Sequence, residues 1–355
     1  MLPIRPLLSC SALALPIACR GHGTGHQEPG QGPPGSVVIP AVQGPALFVV
    51  NGGGRSISVV DPVDLGVMAT IRLTGVGHPH HINLSADATQ MLVADPGEDL
   101  SAGHGGHTGG ARGALLLLDA RTGETLAARR LPAANHNGLF APDGTAVWTA
   151  QMGDPGTLLM LDPRTLATRA ELPVGSMPAE VTASADGRYL FVANGGSDDV
   201  TVIDPQTRSV VTTIAVGYGP VGAWPGADNV MYVDNEQEGS ISAIDVATLA
   251  VVRTFELGFM PGMAALAPAG DELWVTDAEH GAITFWSLAT GEITGAVPTG
   301  AGAHAIAFTP DGQTAFITDQ QANSLSVLDV PTRKLAATLT MDGEPNGLVL
   351  RPGRE

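Results

Sequence analysis

Histidine is the residue most able to do chemistry in this chain, and its placement is uneven. His78, His80 and His81 form the run Gly77-His78-Pro79-His80-His81, and His136 and His304 stand alone further along. His104 and His107 lie in a glycine-rich stretch, and His280 completes the set outside the first few dozen residues. Imidazole is the commonest side-chain ligand for borderline metals, and three or four converging ring nitrogens suit copper or zinc. Three protein ligands would leave an open coordination position, the mark of a reactive site. Glu180 could serve as a further ligand or as a base. Whether these side chains can meet depends on the elements that carry them.

Those elements are set by a repeat. The phrase LFVANGGSDDVTVIDPQT, from Leu190 to Thr207, returns along the chain at a nearly fixed interval. Anchored on the residue that closes each V-x-V-x-D run, the repeat falls at Asp61, Asp119, Asp162, Asp204, Asp245, Ser287 and Asp329. The steps are 58, 43, 42, 41, 42 and 42 residues, so seven units result and only the first step is long. Within a unit, turn pairs such as Asp186-Gly187 and Gly195-Gly196 separate runs that alternate β-branched and aromatic with small or polar residues, which suits half-buried strands. Each unit holds four strands, A to D, and no stretch carries a capped helical period. The expected fold class is all-β: a seven-bladed β-propeller with four-stranded antiparallel blades. The pattern begins on a strand B, from Ala46 to Asn51, and ends on a lone strand A, from Asn346 to Leu350, so the C-terminal strand is expected to close blade 1. Ser36-Val37-Val38-Ile39 competes for that slot or supplies an extra strand.

Placed on this frame, the eight histidines fall in D-to-A or B-to-C connections, which open at one end of the channel. At the register just after the proline slot stand His80, His136, Ala179, Val221, Gly262, His304 and Asn346. Strand A is innermost, so His304, Asn346, His80 and His136 form an arc over blades 7, 1, 2 and 3. The next register adds His81, Asn137 and Glu180. The expected metal ligands are therefore His80, His81, His136 and His304, with His78, His104, His107, Glu180, His280 and Asn346 as further ligands or lid residues. The lid would be the insertion from Pro96 to Gly113 that lengthens the first step; a plain surface loop is the alternative. Met152, Met177, Met260 and Met263 lie near the same end, where soft sulfur would favour Cu(I) or simply pack. The strand B ends Asn51, Asp95, Gln151, Asn194, Asn235, Asp277 and Asp319 are expected to bond the backbone of their own loops.

The units resemble the YVTN-type β-propeller repeat, seen also in exported surface-layer-like and periplasmic propellers. Leu190 to Asp204 matches it best, Met231 to Asp245 and Phe316 to Asp329 match well, and the resemblance covers roughly residues 45 to 351. It implies the fold and an exported protein, and leaves the activity open. The His-Pro-His-His run is also similar to the histidine-rich inner-strand motif of nitrous-oxide reductase propellers, where histidines from many blades hold copper. This chain has fewer inner histidines than that family and lacks its cysteine-bearing copper domain. Only the idea of an inner-ring copper site at His80 and His81 carries over.

Composition bounds the remaining readings. The net charge is −18, with Lys334 the single lysine, so a duplex or an anionic membrane surface would be repelled and nucleic acid is not an expected partner. The apolar run from Leu7 to Ala18 ends at Leu15-Pro16-Ile17-Ala18-Cys19. This reads as a signal peptide over residues 1–19, of lipoprotein type with a lipid anchor at Cys19, or else an ordinary cleaved leader. Residues 20–45 read as a flexible Gly/Pro-rich tether and 46–355 as the propeller. The expected location is the periplasm or cell envelope, and the expected state is a monomer. Cys10 and Cys19 are the only cysteines, so thiol catalysis and C-x-x-C-H attachment of haem c are excluded from the propeller. No phosphate loop points to a nucleotide and no Gly-x-Ser-x-Gly elbow points to a serine hydrolase. Three functional readings remain. The first is an envelope binding protein for a transition metal or metal-bearing ligand at the histidine-rich mouth. The second is a copper- or zinc-dependent oxidoreductase or lactonase-type hydrolase on the same face. The third is a scaffold that holds protein partners without a metal.

Overall fold

The computed structural model describes residues 32–101 and 111–353. Among them are seven antiparallel sheets and no helix. Six sheets have four strands, each paired only with its sequence neighbours, and the seventh gains strands from both ends of the chain. Blade 1 is completed by the C-terminal strand Pro345–Arg351, which pairs with Ala46–Asn51 in the register Ala46↔Arg351, Phe48↔Val349. The closure expected from sequence is therefore observed. Ser36 takes the extra-strand alternative instead: Gly35–Ser36 pairs with the outer strand Val67–Thr74.

Residues 35–42 are held against blades 1 and 2. Val37 N donates to Arg72 O at 2.8 Å, Ile39 N to Thr122 O and Val42 N to Arg121 O, both at 2.9 Å. Ile39 and Val42 also pack on the cluster that contains Phe48, Ile71 and Met91. This segment, placed in the tether by composition, is thus docked by backbone hydrogen bonds and by the Ile39 and Val42 side chains. The leader, Cys19 and the loop histidines His104 and His107 lie outside the described residues.

Cohesion comes from apolar clusters sandwiched between neighbouring blades. Between blades 6 and 7, Trp274 and Phe285 meet at a ring-centroid distance of 4.6 Å and pack with Ala303, Ile306 and Ile317. Each such large side chain, removed from water, stabilises the fold by roughly 1.5–3 kcal/mol. Strands B and C, which face two neighbours, are buried almost without a break, and strand D is mostly exposed.

The polar residue at the end of strand B does more than the loop bonding expected of it. Asn51 Nδ2 donates to Ser56 Oγ and Ser58 Oγ, both at 3.0 Å, and Asn235 repeats this with Ser240 and Ser242. Asp319 accepts from Ser324 and Ser326. The hairpin brings positions five and seven residues on to the same face, so strand C hydroxyls are the first partners. Asp95 keeps the expected role by accepting from Gly97 N of its own loop at 3.2 Å, and it also accepts from Gly77 N and His78 N of the connection leading into blade 2.

One local irregularity recurs and matters for the site. The inner strands of blades 1, 4, 5, 6 and 7 each carry one extra residue directly after their first position. A bulge of this kind breaks the ladder and re-aims side chains. In four of the five the first residue is proline (Pro178, Pro220, Pro261, Pro345), which cannot donate to a ladder and tolerates a strand start.

A histidine and glutamate cluster on the propeller axis

The bulge positions are the positions that carry the candidate ligands. Glu180 lies within Pro178–Ala183, His304 within Ala303–Phe308 and Asn346 within Pro345–Arg351. Blades 2 and 3 reach the same place differently. Their inner strands are cut to Ile82–Leu84 and Leu139–Phe140, and the histidine-bearing residues lie just before them. His80 N still donates to Ala94 O and Ala94 N to His81 O, each at 2.9 Å, so this backbone is anchored to blade 2 although it is not ladder.

Strand B holds the bulges from behind. Thr276 Oγ1 accepts from Met263 N at 2.8 Å and donates to His304 O at 2.6 Å, and Thr318 Oγ1 accepts from Ala305 N at 3.0 Å. In blade 5 the same register holds Asp234, which accepts from Gly222 N at 3.1 Å and from Trp224 Nε1 at 2.6 Å. Asp234 was not among the residues singled out from sequence. Its signal is a carboxylate inside the strand Val230–Asn235 where blades 6 and 7 have threonine.

The result is a convergence of four imidazoles. Ring centroids of His80 lie 4.7 Å from His81, 4.6 Å from His136 and 5.3 Å from His304. His81 lies 4.6 Å from His136 and 5.7 Å from His304. His80, His136 and Glu180 are at most 1% exposed, and His304 is 9% exposed. Two candidate ligand triads result, His80–His81–His304 and His81–His136–Glu180, each with its donor atoms within 4.8 Å of one another. His81 belongs to both. Glu180 Oε1 stands 3.4 Å from His81 Nε2 and 3.4 Å from His136 Nδ1, while its Oε2 has no hydrogen-bond partner among the described residues.

Burial pushes the Glu180 carboxyl well above the usual range, and the nearby Asp234 adds to this. Burial also raises Asp234, to about 7, helped by Glu236 and opposed by its bonds from Trp224 and Gly222. A cavity of about 170 Å³ continues from the cluster and is lined by His81, Asn137, Glu180, Thr182, Trp224 and Met263 among others. No lysine or arginine lines it among the described residues.

The other expected ligands stand apart. Asn346 is fully buried at the expected register, but its Oδ1 accepts from Gln320 and its Nδ2 donates to Pro79 O. It works as a strut across three blades. His280 leaves the axis: its side chain is 69% exposed and its Nδ1 bonds Asp277 at 2.9 Å. His78 turns away toward Glu344, at 2.7 Å. Met263 lines the axial cavity, and Met152 and Met177 line a separate hollow near Glu236.

Comparison with known proteins agrees with the architecture. A family model described as YNCE-like beta-propeller matches residues 124–295, from the outer strand of blade 2 into blade 6. The YncE proteins of Salmonella typhi and Salmonella typhimurium are 29% identical to this chain over 90 residues. That stretch spans 25% of this chain and 26% of each relative. Among solved structures, the periplasmic gluconolactonase PpgL of Pseudomonas aeruginosa superposes with a TM-score of 0.71 at 19% identity, over 87% of this chain and 99% of that one. A functionally unknown protein from Desulfotomaculum acetoxidans gives 0.70 at 13% identity, over 87% and 99%. At such identities these likenesses speak for the fold. The recurring unit, its closure into seven blades and the matching family model support a YVTN-type β-propeller protein.

Proposed function

We propose that this chain is an exported envelope protein that binds one transition-metal ion, copper or zinc, on the propeller axis. His81 is the central ligand, and the ion's further protein ligands are drawn from His80, His304, His136 and Glu180. The observation that carries the reading is the pair of triads that share His81 and enclose a buried carboxyl. Around a tetrahedral ion with metal–nitrogen bonds of about 2.0–2.1 Å, ligand atoms are about 3.3 Å apart. The 4.8 Å limit within each triad is wider than this by an amount that small side-chain rotations close. A cation would also offset the cost of ionising Glu180 in a cavity that no lysine or arginine lines. Imidazole-rich sets favour copper and zinc over magnesium or calcium. The exported location rests on the leader sequence.

A hydrolase or oxidoreductase reading draws on the cavity beside the cluster, which leaves room for a small substrate at an open coordination position. PpgL, with the same fold, is named a gluconolactonase, which makes a lactone the first substrate to try.

The test is metal analysis of protein purified after growth with copper and zinc. About one equivalent is expected, and loss of it in the variant His81→Ala with His136→Ala. Protein that is empty after such growth, with no thermal shift on adding either metal, overturns the reading. Gluconolactone turnover that appears with the metal and vanishes with it would favour the hydrolase.

A further inference from the structure

The histidine that turns away from the axis makes a second constellation. His78 Nε2 is 2.7 Å from Glu344 Oε2, and His78 Nδ1 is 3.7 Å from Asp99 Oδ1. Ligand atoms of the three residues lie within 4.8 Å of one another. They come from three separate loops at the channel mouth: the segment leading into blade 2, the stem of the long insertion, and the segment leading into the C-terminal strand. We propose that His78, Asp99 and Glu344 form an outer site for a divalent cation, placed where an ion travelling to the axial cluster would first bind. The feeding role rests on the axial reading; the outer site itself does not.

Three features beyond proximity support a ligand here. His78 Nδ1 is buried and has no hydrogen-bond partner among the described residues, although it points at the Asp99 carboxylate. Two glycines make room for the His78 and Glu344 side chains to stand together. A Cβ on Gly52 would come within 2.4 Å of His78 Cε1, and one on Gly53 within 2.6 Å of Glu344 Oε2. Glu344 itself has a φ of 50°, a left-handed conformation that costs a non-glycine residue about 1–2 kcal/mol. It is held there by Glu344 N donating to Asn323 Oδ1 at 2.7 Å and by Gly52 N donating to Glu344 O at 2.8 Å. The carboxylate is thereby fixed against the imidazole.

The donor set differs from that of the axis. One imidazole and two carboxylates neutralise a divalent charge and suit Zn²⁺, Co²⁺ or Mn²⁺, with water filling the remaining positions. Asp99 and Glu344 are partly exposed, at 49% and 39%, so ions can arrive and leave. Pro79 alone separates His78 from His80, so the outer site sits on the same segment that delivers two axial ligands.

The experiment is a calorimetric titration of chelator-treated full chain with zinc chloride, repeated with cobalt for its visible spectrum. Two equivalents are expected on titrating the unaltered protein: the axial one that survives purification and a weaker, exchangeable one at the partly exposed outer site. Asp99→Asn, on an exposed stem, and Glu344→Gln should each lose one equivalent and keep the other. His81→Ala with His136→Ala should lose the opposite one. An unaltered stoichiometry in both Asp99→Asn and Glu344→Gln overturns the outer site and leaves the axial reading standing. A single equivalent that is lost only in those two variants supports the outer site and removes the axial one. No binding in any form overturns both.

Discussion

Glu180 Oε1 lies 3.4 Å from His136 Nδ1 across the boundary between blades 3 and 4, with both side chains at most 2% exposed. Two physical accounts of that contact make opposite predictions. If the carboxylate and an imidazolium stabilise each other, removing the charge leaves a buried cation and destabilises the protein. If the pair awaits a metal, Glu180 is a buried acid whose ionisation burial opposes. The second account predicts that metal-free Glu180→Gln resists urea better than the unaltered protein at alkaline pH, yet binds zinc or copper more weakly. Urea midpoints and metal affinities measured on the same preparations check both signs.

Asp234 gives the metal-free protein a pH dependence of defined sign. Burial raises its carboxyl from an ordinary 3.8 to about 7. The folded state thus holds the proton more tightly than the unfolded chain does. Its contribution is fully present below about pH 4 and is lost as pH rises toward about 7, on the order of 4 kcal/mol in all. Asp234→Asn has no such titration, so its stability relative to the unaltered protein should improve across that window. Denaturant midpoints compared at the two ends of the window decide it, and parallel curves would refute the assignment.

Arg351 should be a stability residue although it lies near the end of the chain. It is 7% exposed and donates to Gly44 O at 2.9 Å, Ala120 O at 2.7 Å and Val42 O at 3.1 Å. It also covers the Phe48 ring at 5.3 Å. One side chain thereby ties the closing strand to the docked N-terminal segment and to blade 2. Arg351→Ala should cost about 3 kcal/mol, since charge-assisted bonds contribute about 1.5–3 kcal/mol each and are not additive. Chemical denaturation measures this, and metal content should not change.

These residues mark what the sequence could convey. The repeat made blade number, strand order and the closing strand legible, because strand alternation and turn pairs are local signals. The arc of His80, His136 and His304 was legible once the repeat fixed a common register. The bulge was not, because an extra residue shows only when the partner strand is counted against it, as Pro178↔Asn194 and Val181↔Val192 require. Asn346 shared the histidine register but lost its amide to Gln320 and Pro79, a matter of side-chain geometry. His280 mapped to the same end but to an outer hairpin, which register alone does not separate from an inner one. Arg351 gave no signal, since its partners are backbone carbonyls from distant turns.

Gly347 offers the sharpest check on whether the axial cluster is positioned for function. Gly347 N donates to His80 O at 2.8 Å, so the closing strand directly braces the histidine segment of blade 2. A Cβ at this position would come within 2.9 Å of His81 Cα, 3.0 Å of His80 O and 3.0 Å of His81 Nδ1. Gly347→Ala therefore pushes His81, the residue shared by both triads, without replacing any candidate ligand. Displacing a shared ligand should lower metal affinity on the order of tenfold, as loss of outer-shell support does elsewhere. Gly66→Ala is the matched control, because nothing lies within 4 Å of a Cβ there. If Gly347→Ala weakens zinc or copper binding while Gly66→Ala does not, the strand that closes the propeller also sets the geometry of the site. Equal affinity in both variants would mean that His81 is not held in place by this contact, and the shared-ligand geometry would fail.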